Sequence, residues 1–267
     1  MKDSLKVKIG NITILIESGD NRIIKAVTDV YIPFESRQRH VYRVRLTRCK
    51  IRLNEGMPKD MFFSFAKGFY KIDSSEFQAV FDLFRKEGSI NIFIEKYKEV
   101  VVSALGSLCM LLTLRSGGAV FHASGIVKSG RAFVFLGPSG AGKSTVAEAS
   151  KGLTVLSEEL IGLHLGNVPK AFAIPYYTDS RFPLRSKGMF EVAGLFKLVK
   201  DRRNYLKSIP MPYAVADFFT FVSSFKGLIP LSRYFNACSK LIESSPCYEL
   251  HFLPDNSFWR CIDESLN

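Results

Sequence analysis

The chain has 267 residues, 47% hydrophobic and 23% charged, a composition that is ordinary for a globular protein of one or two domains. Its formal net charge of +12 is spread along the chain, with 20 basic against 13 acidic residues over 1–116 and 17 against 12 over 117–267. Such a charge attracts anions in general, whether nucleotides, acidic peptides or nucleic acid. The five cysteines are scattered without a Cys-x-x-Cys pair, which argues against a zinc site or a disulfide framework and favours a reducing compartment.

The apolar pattern predicts neither a leader sequence nor a membrane span. Residues 1–5 lack the apolar run of a signal peptide. The longest nearly uncharged apolar stretch, Val100–Leu114, covers about 15 residues, whereas a membrane span needs roughly 20. We therefore expect a buried helix over Glu95–Arg115 and a cytoplasmic protein.

The first part of the chain, residues 1–116, is predicted to form an α+β region that serves in substrate or partner recognition. Alternating apolar residues in Leu5–Ile9 and Ile12–Glu17 flank a Gly-Asn pair, which predicts a β-hairpin. A short helix is predicted over Asp20–Tyr31.

Two further patterns precede the apolar helix. Residues 41–53 alternate basic and apolar side chains and slip in phase at Thr47, so we expect a bulge or bend in a strand with a basic outer face. That face invites an acidic partner, although a solvated surface explains it as well. Apolar residues at helical spacing predict a helix over Ser74–Lys86.

The second part, residues 117–267, is predicted to form an α/β domain. Ala119–Val127 and Ala132–Leu136 are strand-like runs separated by a short polar turn. Further along we expect a helix ending near Ser150, strands at Leu153–Leu156 and Ile161–Leu165, helices near 211–226 and 229–243, and strands at Tyr248–Leu253 and Phe258–Ile262.

A phosphate-binding motif of the form Gly-x-x-x-x-Gly-Lys-[Ser/Thr] follows the second strand-like run. Glycines let backbone N–H groups curl around phosphate oxygens, and a helix N-terminus adds positive potential. In this motif Lys143 reaches the β- and γ-phosphates and the Ser144 hydroxyl ligates Mg²⁺. An ordinary glycine turn before a helix is the alternative. The predicted nucleotide-binding residues are Gly137, Pro138, Ser139, Gly140, Ala141, Gly142, Lys143, Ser144 and Thr145.

A histidine is predicted to lie at the mouth of this motif. If the preceding hairpin turns at residues 129–130, its register pairs Gly125 with Val134 and His122 with Gly137. A single histidine in a strand is often structural. The register instead favours a role for His122 in bonding phosphate or in tuning a neighbouring carboxylate.

An acidic pair, Glu158-Glu159, follows the strand predicted at Leu153–Leu156. Enzymes with this motif place an acid at the end of a neighbouring strand, where it orients Mg²⁺ or takes a proton from the nucleophile. Acids that cap a helix N-terminus are the alternative.

Together these residues resemble a known family. His122-Ala123-Ser124-Gly125, the hairpin, the motif at 137–145 and the run from Gly152 to Glu159 are similar to the C-terminal catalytic domain of HPr serine kinase/phosphorylase. They resemble more closely the stand-alone HPr-kinase-related proteins of bacterial peptide-modification clusters. The resemblance is good over about residues 117–165 and loose beyond them.

The resemblance implies a P-loop nucleotide-binding core of the HPr kinase/PEP carboxykinase type, with ATP and Mg²⁺ as cofactors. It also implies His122, Lys143, Glu158 and Glu159 as catalytic residues, with Ser144 and Glu158 as ligands of Mg²⁺. The family pair is usually Asp-Asp. The extra methylene of each glutamate moves its carboxylate by about 1.5 Å, and misplacement on the order of 1 Å costs up to 10²-fold in rate.

Three functions follow as hypotheses. The first is an ATP-dependent kinase that phosphorylates a hydroxyl, foremost a serine of a peptide or protein. The second is a non-catalytic or weakly hydrolytic ATP-binding regulator, and the third is a small-molecule kinase. Nucleic-acid binding would rest on charge alone and is not expected, and the oligomeric state stays open, a homo-oligomer included. A basic loop with Arg181, Arg185 and Lys187 is a further candidate contact for phosphate or an acidic substrate.

Overall fold

The computed structural model describes residues 3–49, 61–176, 188–223 and 229–266. Within these ranges the chain is mixed α/β, with one sheet of seven strands and another of eight. The chain divides into two compact units, the first mainly Met1–Cys109 and the second Met110–Ile174, Thr178–Ser224 and Ile229–Asn267. The domain boundary expected after residue 116 stays a prediction.

The seven-stranded sheet belongs to the first unit and has the order β1-β2-β3-β7-β6-β5-β4. Strands β2, β3 and β7 are parallel neighbours, and every other pair is antiparallel. Helix α1 connects β2 to β3 and begins after Asp20, whose side chain accepts the N–H of Arg22 as an N-cap. The strands are β1 (Ser4–Ile9), β2 (Ile12–Glu17), β3 (Tyr42–Arg48), β4 (Phe62–Ala66), β5 (Phe69–Asp73), β6 (Phe77–Asp82) and β7 (Glu87–Ile92), and α1 is Asn21–Tyr31.

Strand β3 has the expected basic face as far as it is described, and it has no bulge at Thr47. Arg43 and Arg45 are exposed, whereas Val44 and Leu46 are buried. The register of β3 with β7 runs unbroken to Arg48, so the slip at Thr47 is not a bulge within the strand. Both Thr47 and Arg48 are exposed, because the alternation ends where the strand ends. Residues 50–53 lie outside the described residues.

The helix expected over Ser74–Lys86 is wrong, because this segment forms β6 and the turn after it. Phe77, Ala79 and Phe81 are buried in alternation, and the strand pairs with β5 and β7 on its two sides. Phenylalanines four residues apart fit a helix and a strand equally. The apolar Ala79, two residues from each phenylalanine, is the residue whose position fits a strand and not a helix.

Helix α2 (Tyr97–Arg115) is buried along most of its length, as expected from its apolar sequence. It is long and apolar enough to cross a membrane by length and composition, and 72% of its most apolar window is buried inside the structure. That burial is typical of a core helix.

The eight-stranded sheet belongs to the second unit. Strands β8 and β9 form an antiparallel hairpin, and β9, β13 and β15 run parallel to one another. The sheet therefore has a parallel section whose carboxyl ends share one edge. The strands are β8 (Ala119–Lys128), β9 (Arg131–Leu136), β10 (Thr154–Ser157), β11 (Leu160–Leu165), β12 (Pro169–Ala173), β13 (Phe190–Lys200), β14 (Tyr205–Ser208) and β15 (Cys247–Phe252); the helices are α3 (Lys143–Ala149), α4 (Met211–Phe219), α5 (Leu231–Glu243) and α6 (Phe258–Leu266).

The core on one side of this sheet is rich in aromatic rings. Phe135 packs against Phe196 with ring centroids 5.3 Å apart, and Phe133 meets Trp259 edge to face at 5.1 Å. The strand expected at Phe258–Ile262 is wrong, because these residues begin α6. The buried residues at 258, 259 and 262 form one face of that helix.

Trp259 couples α6 to the end of α3. Its Nε1 donates to the Oγ of Ser150 over 3.0 Å, and that hydroxyl donates in turn to the Val146 carbonyl. Replacing Trp259 with alanine is therefore expected to lower the free energy of unfolding by about 3–5 kcal/mol. Urea unfolding followed by circular dichroism measures the loss. Arg260→Ala, on the exposed face of the same helix, is the control and should change little; equal unfolding midpoints for the two variants would contradict the packing role.

Candidate functional site

The glycine loop, residues 137–145, connects the buried strand β9 to helix α3. Gly137 is tightly packed, because a Cβ at this position would lie 2.6 Å from the Cβ of Ala141. Gly140 and Gly142 have φ values of 80° and 112°, which L side chains rarely adopt. The sequence thus places glycine where the backbone turns most sharply, directly before the N-terminus of α3.

Lys143 folds its side chain back over the loop. Its Nζ donates to the carbonyl oxygens of Gly137 and Pro138, over 2.7 Å and 3.2 Å. Burial lowers the pKa of this ammonium, and the negative charge of Glu159 partly opposes that shift. The loop therefore holds a partly desolvated cation between its two ends.

Gly142 gives the most direct test of this loop geometry. A Cβ there would lie 2.7 Å from Cζ of Phe252, in addition to the unfavourable φ. Gly142→Ala is expected to weaken nucleotide binding about tenfold or more, because strain of at least about 1–2 kcal/mol and a displaced ring distort the loop. Calorimetric titration with a non-hydrolysable ATP analogue measures the change.

Gly152→Ala is the matched control for this variant. Gly152 also has a positive φ, of 95°, but a Cβ there meets nothing within 4 Å. The Gly152→Ala variant should therefore have a lower free energy of unfolding, because of backbone strain, and an unchanged affinity for nucleotide. Similar affinities for both alanine variants would show that the shape of the loop does not govern binding.

The hairpin before the loop has the predicted register, but the predicted pair of His122 with Gly137 does not form. Gly125 pairs with Val134 and Ala123 pairs with Leu136, which is the last pair of this ladder. Beyond it β9 leaves the sheet at the glycine loop. The N–H of His122 instead donates to the carbonyl of Phe221 over 2.8 Å, so the chain after α4 takes the place of β9.

The acidic pair lies in a break between two strands that both pair with β8. Ser157 of β10 is opposite Gly125, and Leu160 of β11 is opposite His122. The Ser157 hydroxyl accepts the N–H groups of Glu159 and Leu160, each over 3.1 Å, and so fixes the turn. This turn places the carboxylate of Glu159 beside the predicted histidine.

The two glutamates have different surroundings. The side chain of Glu159 is 45% exposed, and its Oε1 lies 3.3 Å from Nδ1 of His122. Glu158 is buried, with 7% of its surface exposed. Glu159 is therefore the more solvent-accessible of the two acids.

Three of the predicted catalytic residues, His122, Lys143 and Glu159, come together at the mouth of the glycine loop. The contact between His122 and Glu159 is direct, and the charge of Glu159 acts on Lys143. Ser144 and Thr145 lie half-buried in the first turn of α3. The predicted basic residues Arg181, Arg185 and Lys187 lie outside the described residues.

A charged cluster at the same edge of the sheet was not predicted. Lys197 of β13 lies opposite Leu136, the last residue of β9, and its Nζ contacts Asp217 of α4 at 2.5 Å and Glu249 of β15 at 3.5 Å. The Asp217 contact is the main cause of the raised pKa of Lys197. The one sign of this cluster in the sequence is a single lysine in the apolar run Gly194–Val199. The cluster could not be predicted from it, because the acidic partners of Lys197 are distant in sequence.

Comparison with known proteins gives distant structural similarity without a matching family. No protein-family model matches the sequence, and a search of curated proteins found no match. Among solved structures, the HPr(Ser) kinase/phosphatase from Coxiella burnetii is similar with 13% sequence identity and a TM-score of 0.31. That similarity covers 55% of this chain and 95% of the other.

Proposed function

We propose that this protein is an ATP-dependent kinase that transfers phosphate to a hydroxyl, namely a serine of a peptide or protein. The observation that carries the proposal is the contact of Glu159 with His122 at the end of the β8–β9 ladder, where β9 leads into the glycine loop and Lys143 donates to the Gly137 carbonyl. We also assign the second unit to the P-loop nucleotide-binding type found in HPr kinases, which the sequence of residues 117–165 resembles.

The glycine loop suits the phosphates of a nucleotide. Its positive-φ glycines, Gly140 and Gly142, turn the backbone as an anion-binding loop requires. Residues 138–140 are exposed, so the loop is open to a ligand. The Lys143 ammonium, now bonded to loop carbonyls, is close enough to exchange those bonds for phosphate oxygens. The negative charge of an anion bound there would favour the protonated ammonium and so oppose the effect of burial on its pKa.

The proton of the acceptor hydroxyl goes to Glu159 in this proposal. Its carboxylate is half-exposed, and its Oε1 lies 3.3 Å from His122 Nδ1. When bound, Mg²⁺ would neutralise charge at the phosphates, and Ser144 and Glu158 are the residues that would hold it. For Glu158 this requires that its buried carboxylate reach the glycine loop. Lys143 stabilises the charge that develops on the transferred group.

Transfer of the γ-phosphate to peptides tests the proposal. The full chain is incubated with Mg²⁺ and γ-labelled ATP together with a library of serine-containing peptides, and phosphopeptides are identified by mass spectrometry. We expect a product with phosphoserine. Hydrolysis of ATP with no phosphopeptide would contradict the assignment. Labelling of sugars or nucleotides instead of peptides would contradict it as well and would favour a small-molecule kinase.

A non-catalytic ATP-binding regulator is the second candidate, and the burial of Glu158 favours it. A buried glutamate in place of the family's aspartate is poorly placed to hold a metal ion at the phosphates. In that case ATP binds without any phosphorylated product, and neither Glu158→Asp nor Glu159→Asp produces turnover. Gain of turnover in either aspartate variant would favour the kinase instead.

A further inference from the structure

The first unit contains a cleft of about 810 Å³ that the proposed kinase reaction does not use. It lies where the parallel strands β2 and β3 end and α1 begins, an edge at which α/β proteins commonly bind ligands. Its walls carry three arginines and three acids among other residues: Arg22, Arg45 and Arg48, and Asp3, Glu17 and Asp20.

Two of the arginines already have carboxylate partners. Arg22 contacts Asp20 at 2.8 Å, and this hydrogen bond is the main reason that the pKa of Asp20 falls to about 2. Arg48 contacts Glu95 at 2.6 Å. Asp20 also accepts the N–H of Arg22 at the start of α1, so the helix terminus is occupied by the chain itself.

Arg45 differs from both. It is exposed, and it forms no ion pair within the part of the chain that the structure describes. Glu17, its neighbour in register on β2, lies 3.8 Å from Arg43 instead. The cleft therefore contains one guanidinium that is available to a ligand, with two others fixed beside it.

The cleft continues onto a basic sheet surface, which we define as the outward side chains of β1 to β3. Lys6 and Leu15 are paired, and Leu15 is paired with Arg43, so these residues share one face of the sheet. Lys8 lies on the same side of β1, two residues from Lys6. Including Arg45, this surface carries four cations against the single carboxylate of Glu17.

We propose that the cleft and the basic sheet surface bind an acidic peptide segment, with a ligand carboxylate paired to Arg45. Guanidinium and carboxylate groups form paired hydrogen bonds, which favours a carboxylate ligand at an arginine. The acids Asp3, Glu17 and Asp20 interrupt the positive surface and would repel a continuous polyanion. A peptide whose acidic side chains alternate with neutral ones matches that mixture, whereas nucleic acid and anionic membranes do not.

The proposal does not depend on phosphoryl transfer, and its test keeps the two apart. A fluorescein-labelled peptide of about twelve residues, with glutamate at alternate positions, is titrated with the full chain at low salt and followed by anisotropy. The same peptide with glutamine at those positions is the ligand control. Binding is repeated with Lys143→Ala, which should leave the affinity for the peptide unchanged.

Arg45→Gln is the decisive variant, and Lys71→Gln is its matched control. Lys71 is also exposed and faces the same side of the sheet, being linked to Arg45 through Ser89 and Val80 in register. Loss of a charged hydrogen-bonding pair predicts an affinity about tenfold weaker for Arg45→Gln and little change for Lys71→Gln.

Three results would overturn the proposal. Equal binding of the glutamate and glutamine peptides would show that the ligand carboxylates are not recognised. Equal affinities of the Arg45 and Lys71 variants would show that the peptide does not bind at Arg45. Tighter, Arg45-dependent binding of a single-stranded oligonucleotide or of phosphatidylserine vesicles would assign the surface to a polyanion instead. Circular dichroism of both variants confirms that each retains its fold.

Discussion

Replacing Lys143 with alanine is expected to lower phosphoryl transfer by on the order of 10²–10³-fold, because it removes the only loop cation that faces the proposed phosphate site in the described residues. ATP affinity should fall as well, since a hydrogen bond from a charged donor contributes about 1.5–3 kcal/mol. Both effects arise from one side chain that is bonded to the loop itself. Single-turnover transfer and calorimetric titration measure them separately.

Lys151→Ala is the control for that variant. Lys151 is an exposed lysine just beyond the end of α3, so its removal changes the net charge equally without touching the loop. Its activity should match that of the unmodified protein. Lys143→Arg retains the charge but replaces a compact ammonium with a planar guanidinium group. We therefore expect this variant to retain little phosphoryl transfer. Unchanged transfer by Lys143→Ala would exclude the glycine loop as the site of reaction.

Replacing Glu159 with glutamine is expected to lower phosphoryl transfer by about 10²–10⁴-fold while ATP binding changes little. The amide keeps the shape and polar contacts of the side chain but cannot accept the hydroxyl proton. His122 lies 3.3 Å from the present carboxylate and would still contact the amide. The separation of turnover from binding is what identifies a base rather than a nucleotide contact.

Glu243→Gln, an exposed glutamate at the end of α5, is the control for the lost charge. Glu159→Asp is informative in addition, because it restores the charge and moves the carboxylate by about 1.5 Å. Partial activity in that variant would support the geometric role. Equal transfer by Glu159→Gln and the unmodified protein would contradict it and leave Glu158 as the acid to test.

The sequence predicted local features of the second unit well. The strand runs on both sides of residues 129–130 and the short polar turn between them determine the hairpin, and the structure has the expected pairing of Gly125 with Val134. Ser129 and Gly130 both have positive φ, as a tight two-residue turn requires. Because the glycine loop follows this hairpin directly, the position of His122 near it also followed from local pattern.

Features that depend on distant partners were not predictable in the same way. Strand β13 is central to its sheet, between β9 and β15, yet its parallel partners lie far away in sequence, and no hairpin turn marks its pairing. The Lys197–Asp217 contact depends on the same arrangement. At Phe77–Phe81 and Phe258–Ile262 the apolar spacing is compatible with both a helix and a strand. Which of the two forms depends on the packing of these residues against the rest of the fold.

The hydrogen bond from Trp259 to Ser150 has a consequence for the timing of biosynthesis. The ribosome makes the glycine loop and α3 long before α6, so a nascent chain exposes the apolar side of α3 until residues 258–262 emerge. A nascent chain arrested before that point should be digested rapidly by protease at residues 137–150. The nucleotide binding proposed above should then be acquired abruptly, once α6 has been made and closes over the core.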